Sequence, residues 1–129
     1  MQTKTLVGLV LTCVIVVFLG VYWVTEPGRQ RAALERQTHE ATERGAGLYA
    51  ASCSACHGAS GEGSVLGSVL RGSRLDDDVM VKTISRGVPG TVMSAWGKED
   101  GGSLHRQQIL DLVIFIGSLD SSAAATAPQ

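Results

Sequence analysis

The stretch Cys53-Ser54-Ala55-Cys56-His57 determines how the rest of this chain is interpreted. Two cysteines separated by two residues and followed directly by a histidine form a C-x-x-C-H pattern, which is typical of covalent attachment of a c-type haem. Each thiol can form a thioether with one vinyl group of the porphyrin, and the adjoining histidine is then held beneath the iron. The pattern predicts that Cys53 and Cys56 bind haem covalently and that His57 is the proximal iron ligand.

Two other kinds of site also use a pair of cysteines at this spacing. A structural zinc site takes about four ligands, usually from a second such pair or from two spaced histidines. The sequence has one further cysteine, Cys13, which lies in an apolar run, and its other histidines, His39 and His105, are isolated. A thioredoxin-like motif follows a strand in a βαβ pattern, and no such pattern surrounds residue 53. Haem attachment is therefore favoured over zinc binding or thiol redox chemistry.

The length and charge of the chain limit the remaining classes of protein. Its 129 residues allow one soluble domain and a small additional segment. The 11 basic and 12 acidic residues are interspersed and leave a net charge of −1. A nucleic-acid partner is not expected, because such proteins carry concentrated positive charge.

Residues 1–25 predict a membrane anchor. Between Leu6 and Val24 there are 19 consecutive residues without a charge. At about 1.5 Å per residue, a helix of that length approaches the ~30 Å thickness of the hydrocarbon layer. A cleavable signal would have a shorter apolar region and a small-residue cleavage site, which is lacking after Val24. Tyr22 and Trp23 lie where aromatic residues commonly mark the membrane interface, so an uncleaved anchor in contact with membrane lipid is expected.

The orientation of this anchor is predicted differently by two arguments. Lys4 precedes the apolar run, whereas Arg29, Arg31 and Arg36 follow it, and this charge bias would place the following domain in the cytoplasm. Haem is attached to C-x-x-C-H motifs on the outer face of the membrane. The haem argument is given more weight, because acidic residues accompany these arginines. The predicted arrangement is a single-pass membrane protein with its haem domain on the outer, periplasmic side.

The segments that flank the predicted haem domain have distinctive compositions. Pro27-Gly28 is expected to end or kink the first helix. Residues 26–42 form a charged spacer rich in helix formers and without a continuous apolar stripe. The Ser/Ala-rich residues 120–129 are expected to be a disordered tail. The compact domain is therefore assigned to residues 43–119.

Several stretches of this domain resemble the class I (His/Met) cytochrome c family. They are Gly45-Ala46-Gly47-Leu48-Tyr49, Cys53-Ser54-Ala55-Cys56-His57-Gly58 and Gly61-Glu62-Gly63. The resemblance implies a small all-α fold around one covalently attached haem c. It also implies that the small residue at Gly45 lets the first helix of the domain cross closely over the last one, near the aromatic position of Phe115.

A further likeness concerns the orientation of the proximal histidine. Gly67-Ser68-Val69-Leu70-Arg71-Gly72 resembles the G-P-x-L-x-G stretch of the same family, in which the carbonyl at the proline position accepts a hydrogen bond from that histidine. Ser68 replaces the proline in this chain. The carbonyl is retained, but the stiffness of the ring is not.

Two more helices are predicted within the domain. Asp76-Asp77-Asp78 precedes apolar residues at helical spacing and is interpreted as a helix cap rather than a metal site. Gly87 marks the end of that helix. The last helix is predicted from Leu104 to Leu119, and its apolar face contains Ile109, Leu112, Val113 and Ile116.

Met93 is the predicted distal iron ligand. It lies 36 residues after His57 in a loop that resembles the family's methionine-bearing segment. Met80 falls within a predicted amphipathic helix, where a core role is the ordinary expectation, and His105 falls at the start of the last helix. Trp96 is expected either near a haem propionate or in the core.

These predictions favour single-electron transfer, because two occupied axial positions leave the iron no open site for a substrate. The chain is expected to be a membrane-tethered monohaem carrier or the cytochrome subunit of a larger respiratory or photosynthetic complex, and not an enzyme by itself. Its partners would be redox proteins, including other subunits of such a complex. The alternatives are a haem sensor or peroxidase-like enzyme with a displaceable methionine, and a zinc- or disulfide-stabilised adaptor.

Overall fold

The computed structural model describes residues 2–73 and 75–125, with side-chain surroundings given as far as residue 119. Within these ranges the chain is helical, and its only β-type pairing is an isolated bridge between Gly97 and Leu104. The elements are α1 (Gln2–Ser52), α2 (Ser54–His57), α3 (Asp77–Arg86), a 3-10 helix (Lys98–Asp100) and α4 (Arg106–Ala125). The prediction of an all-α fold is confirmed.

The chain divides into two compact units, Met1–Gln37 and Thr38–Gln129. The first unit contains the uncharged run, whose large apolar side chains are all exposed from Leu6 to Val24. Among the described residues, α1 is the helix that is long and apolar enough to cross a membrane. Its composition therefore agrees with the predicted anchor.

Helix α1 passes through Pro27, so of the two outcomes expected at Pro27-Gly28, an end or a kink, the helix end is wrong. A proline inside a helix removes one hydrogen bond and costs about 3 kcal/mol. Good helix formers follow it in residues 29–44, and they offset this local cost. The charged spacer is correspondingly helical, as predicted.

The second unit is built around one apolar core. Helices α3 and α4 pack against each other, and the last turns of α1 contribute Tyr49, which is 1% exposed. The buried members of this core are Tyr49, Met80, Val81, Ile84, Leu104, Ile109, Leu112, Val113 and Ile116. They include the whole apolar face that the sequence predicted for the last helix.

Gly45 allows close contact between the end of α1 and α4. A Cβ atom at this position would overlap the backbone carbonyl of Asp111 and would lie 2.8 Å from Cβ of Phe115. One turn further along, the rings of Tyr49 and Phe115 pack with their centroids 5.2 Å apart. The predicted contact between Gly45 and the last helix is therefore present.

An ion pair joins the same two helices. Arg44 Nε donates to Asp111 Oδ2 at 2.8 Å, and Gln107 Nε2 donates to Asp111 Oδ1 at 3.2 Å. The Asp111 carboxylate is buried, whereas the Arg44 side chain remains half exposed. The hydrogen bond from Arg44 holds the pKa of the Asp111 carboxyl below its usual value of 3.8, although burial opposes this shift.

Replacing Asp111 with asparagine should destabilise the domain at neutral pH and have little effect in acid. Since the folded pKa is depressed, the stabilisation is complete above about pH 4 and is lost as the pH falls through the folded pKa. We expect the melting temperature of Asp111→Asn to lie several degrees below wild type at pH 7, with the difference shrinking progressively as the pH falls below about 4. Thermal unfolding of both proteins between pH 3 and pH 7 measures this difference in melting temperature.

Glu40→Gln is the matched control, because Glu40 pairs with the same Arg44 but is exposed, with 3.9 Å between the charged atoms. We expect this variant to unfold close to the wild-type temperature at every pH. A difference between Asp111→Asn and wild type that stays constant down to pH 3 would show that the carboxylate charge contributes nothing.

The ends of α3 and α4 show one agreement and one correction. The Asp76 side chain accepts a hydrogen bond from the Asp78 backbone N–H at 2.9 Å, so Asp76 caps α3 as predicted. Helix α4 was predicted to end at Leu119 but continues to Ala125, so residues 120–125 of the predicted tail are helical. The alanines at positions 123–125 are strong helix formers and extend the helix. Residues 126–129, the rest of the predicted tail, lie outside the described residues.

Candidate functional site

A cavity of about 360 Å³ in the second unit brings together all four predicted site residues. Cys53, Cys56, His57 and Met93 all line it, although Met93 is 36 positions away from His57 in the sequence. The surrounding side chains are mainly apolar, among them Leu66, Leu70, Leu75, Ile84, Val88, Val92, Trp96, Leu112 and Ile116.

The two cysteines and the histidine are held by a short helical turn that follows α1. The Cys53 backbone N–H donates to the Tyr49 carbonyl at 2.8 Å, and the His57 N–H donates to the Cys53 carbonyl at 3.0 Å. The Tyr49 hydroxyl donates to the Gly58 carbonyl at 2.7 Å, and burial raises the pKa of this phenol, which keeps the donor protonated. The turn is therefore fastened at both ends to the helix that precedes it.

The proton of the His57 imidazole can be assigned from its neighbour. Nδ1 lies 2.8 Å from the carbonyl oxygen of Ser68. Because a carbonyl only accepts hydrogen bonds, Nδ1 is the donor, and in the neutral imidazole the lone pair is then on Nε2. This is the tautomer required of a metal ligand whose other nitrogen is oriented by a carbonyl. The predicted contact with Ser68 is present despite the missing proline.

The Cys53 thiol lacks the lowered pKa of a redox-active cysteine. Both cysteines are free and partly buried. Burial raises the pKa of the Cys53 thiol, and the neighbouring Cys56 raises it further. Redox-active C-x-x-C sites instead have a cysteine whose pKa is lowered.

Met93 reaches the cavity from a tight loop. The Val88 N–H donates to the Met93 carbonyl at 2.9 Å, and the Met93 N–H donates to the Thr91 hydroxyl at 3.2 Å. Gly87 has a φ of +68°, and a Cβ atom there would lie 2.6 Å from the backbone carbon of Ser94. The loop therefore depends on glycine at its entry, and it leaves Met93 partly buried beside the cavity.

The sequence left the roles of three other residues open, and the structure places two of them at the cavity and one outside it. Met80 also lines the cavity, from α3, with 8% of its surface exposed. Trp96 lines it as well and packs against the core. His105 lies outside this cavity, with Nε2 3.3 Å from the Nζ of Lys98.

The residues present fit a haem group. The described lining contains two thiols, one imidazole with a free lone pair and two thioethers, and it contains no Asp, Glu, Lys or Arg. Imidazole and thioether are the axial ligands of cytochromes c, and an apolar surround suits a large macrocycle.

Sequence reasoning missed two features of this site. Met80 was expected mainly in the core, with a ligand role as the weaker alternative, because helical periodicity identifies a buried face but not a cavity beside it. Ser64 was not singled out, although its hydroxyl donates to the Cys56 carbonyl at 2.6 Å. A serine in a glycine-rich loop gives no signal of such a contact.

An all-helical domain with a C-x-x-C-H turn and a methionine loop on one cavity defines a c-type cytochrome. Residues 40–116 match the family model described as cytochrome c oxidase, cbb3-type, subunit III, and the chain belongs to this family. Membership establishes a covalently bound haem c and a part in electron transport. Searches among curated proteins and among solved structures gave no match to the chain.

Proposed function

We propose that this protein is a membrane-tethered monohaem cytochrome that transfers single electrons, as a carrier or as the cytochrome subunit of a larger membrane complex. The observation that carries the proposal is the meeting of Cys53, Cys56, His57 and Met93 on one cavity. Family membership supports a place in an electron-transfer complex.

Each of the four residues has a separate role in this proposal. Cys53 and Cys56 hold the haem through thioethers, so the cofactor stays bound in both redox states. His57 supplies Nε2 to the iron, while the Ser68 carbonyl fixes the ring through Nδ1. Met93 supplies its thioether as the second axial ligand, which favours the reduced state and raises the potential.

The chemistry of the bound haem is the one-electron exchange of its iron. The protein contributes ligands and an apolar surround that limits access of water, and it holds the ligands in one geometry. If His57 and Met93 both hold the iron, no position would remain for a substrate to bind it. Electron transfer therefore fits this lining better than oxygen or peroxide chemistry.

The apolar part of α1 supports the tether. Its exposed large apolar side chains between Leu6 and Val24 have no protein partner within the described residues of the chain, and lipid would cover them. We place the haem domain on the outer side of the membrane, because haem attachment takes place there. Diffusion in the membrane plane would then restrict the partners to other membrane-bound redox proteins.

The test is covalent haem retention in the full chain, produced in membranes of a host that matures c-type cytochromes. After denaturing electrophoresis, the wild-type band should retain haem, and a Cys53→Ser/Cys56→Ser variant should lose it. Cys13→Ser is the control, because Cys13 lies in the apolar run far from the motif in sequence. Wild-type protein without covalent haem, or a double variant that keeps it, would contradict the proposal.

Two further measurements on the same preparation separate the remaining possibilities. Stoichiometric purification with other subunits after detergent extraction indicates a fixed subunit, whereas isolation of the single chain indicates a mobile carrier. Tight binding of carbon monoxide by the reduced protein at neutral pH would contradict a closed electron-transfer site and favour a sensor or a peroxidase-like enzyme.

A further inference from the structure

Ser64 connects the C-x-x-C-H turn to the loop that faces it. Its hydroxyl donates to the Cys56 carbonyl at 2.6 Å and accepts a hydrogen bond from the Leu66 N–H at 3.0 Å. Its backbone N–H donates to the Gly67 carbonyl at 2.8 Å. One residue thus closes the 64–67 turn and attaches it to the residue before His57.

The attached turn lies directly against the haem-binding motif. A Cβ atom on Gly67 would lie 2.6 Å from the Cys56 carbonyl oxygen and 3.1 Å from His57 Nδ1. The next carbonyl in the chain, that of Ser68, accepts the hydrogen bond from His57 Nδ1 at 2.8 Å. The position of this acceptor therefore depends on how firmly the 64–67 turn is held.

The chain after Ser68 is held by the Gly61 carbonyl, which accepts hydrogen bonds from the N–H groups of Leu70 and Arg71 at 2.9 and 3.0 Å. Ser68 is exposed, it has no ring to fix its backbone, and its N–H donates no backbone hydrogen bond among the described residues. A freely rotating backbone has more conformations to lose than a proline does. On the amino-terminal side of Ser68, the hydroxyl of Ser64 provides the restraint.

We propose that Ser64 is a positioning residue for His57, which fixes the Ser68 carbonyl and thereby the strength of the Nδ1–H···O hydrogen bond. The proposal rests on the assigned role of His57 as an iron ligand. A firm hydrogen bond at Nδ1 increases the electron density that Nε2 donates to the iron. This favours the oxidised state of the iron. Loosening the turn should weaken the bond and raise the reduction potential.

The experiment compares full-length, haem-loaded variants by two measurements, the reduction potential and the exchange rate of the His57 Nδ1 proton in the reduced protein. Ser64→Ala should raise the potential, and it should speed proton exchange about two- to tenfold, the range expected for one net hydrogen bond. Ser64→Thr, which keeps a hydroxyl, should match wild type in both. Ser60→Ala is the control, because Ser60 is exposed in the same loop and only its backbone N–H makes a described contact.

A compensating substitution tests the mechanism. Ser68→Pro restores backbone stiffness at the acceptor, so Ser64→Ala/Ser68→Pro should return both measurements toward wild type. If Ser64→Ala fails to retain haem, retention by the double variant supports the proposal and continued loss overturns it.

Two other outcomes overturn the proposal: Ser64→Ala with wild-type potential and exchange, or a double variant as perturbed as Ser64→Ala. Either result would leave the proposed electron-transfer function intact. That function fails separately if the wild-type spectrum shows no histidine ligation.

Discussion

Replacing Met93 with leucine is expected to convert this cytochrome from a closed electron-transfer site into an open, ligand-binding one. Leucine has nearly the volume of methionine but no sulfur, so the loop can keep its packing while the iron would lose the second axial ligand that we propose for it. We expect loss of the sulfur-to-iron charge-transfer absorption and rapid binding of carbon monoxide to the reduced protein. The potential should fall by at least about 0.1 V, within the ~0.8 V range that axial ligands span.

Met80→Leu is the matched control, since Met80 lines the same cavity from α3 and has 8% of its surface exposed. We expect this variant to keep the wild-type spectrum and to lose no more than about 1.5 kcal/mol of stability, the usual cost of a volume-conserving core substitution. The assignment of Met93 fails if Met80→Leu loses the sulfur band and Met93→Leu keeps it.

Replacing Gly45 with valine is expected to prevent α1 from docking against α4. The new side chain would overlap the Asp111 carbonyl, which is backbone within a helix and cannot turn aside. Overpacking of this kind costs about 3 kcal/mol, which corresponds to more than about 10 °C in melting temperature for a domain of this size. Heating the haem-loaded protein while following its Soret circular dichroism measures the change.

The neighbouring Gly47 provides the comparison, because it lies on the same helix and a Cβ atom there would meet nothing within 4 Å. Gly47→Ala should raise the stability by up to about 1 kcal/mol, as alanine favours the helix. Equal melting temperatures for Gly45→Val and Gly47→Ala would show that the two helices do not need the close contact.

The sequence predicts those parts of the site whose residues lie close together in the chain. Cys53, Cys56 and His57 are adjacent, and their chemistry fixes the cofactor without any tertiary information. The apolar face of α4 follows from helical spacing alone, and it forms the core as expected. Met93 was chosen through resemblance and through its place in a loop, and its role as an iron ligand stays a prediction.

The features that the sequence did not predict depend on contacts between distant residues or on helix propensity summed over a long segment. The hydroxyl of Ser64 acquires its role only when the loop folds back onto Cys56, eight positions earlier. The helix through Pro27 persists because many favourable residues outweigh one unfavourable residue. Local rules that stop a helix at each proline cannot represent that balance.

The two contacts of Tyr49 connect folding of the domain to attachment of the haem. Its ring packs on Phe115 of α4, and its hydroxyl holds the Gly58 carbonyl beside the haem-binding turn. Helix docking and the shape of the attachment motif therefore share one buried side chain, and they should form and melt as a single cooperative unit. A chain with a damaged helix crossing would then present a poorly formed motif for haem attachment, and its unfolded fraction would be open to proteolysis.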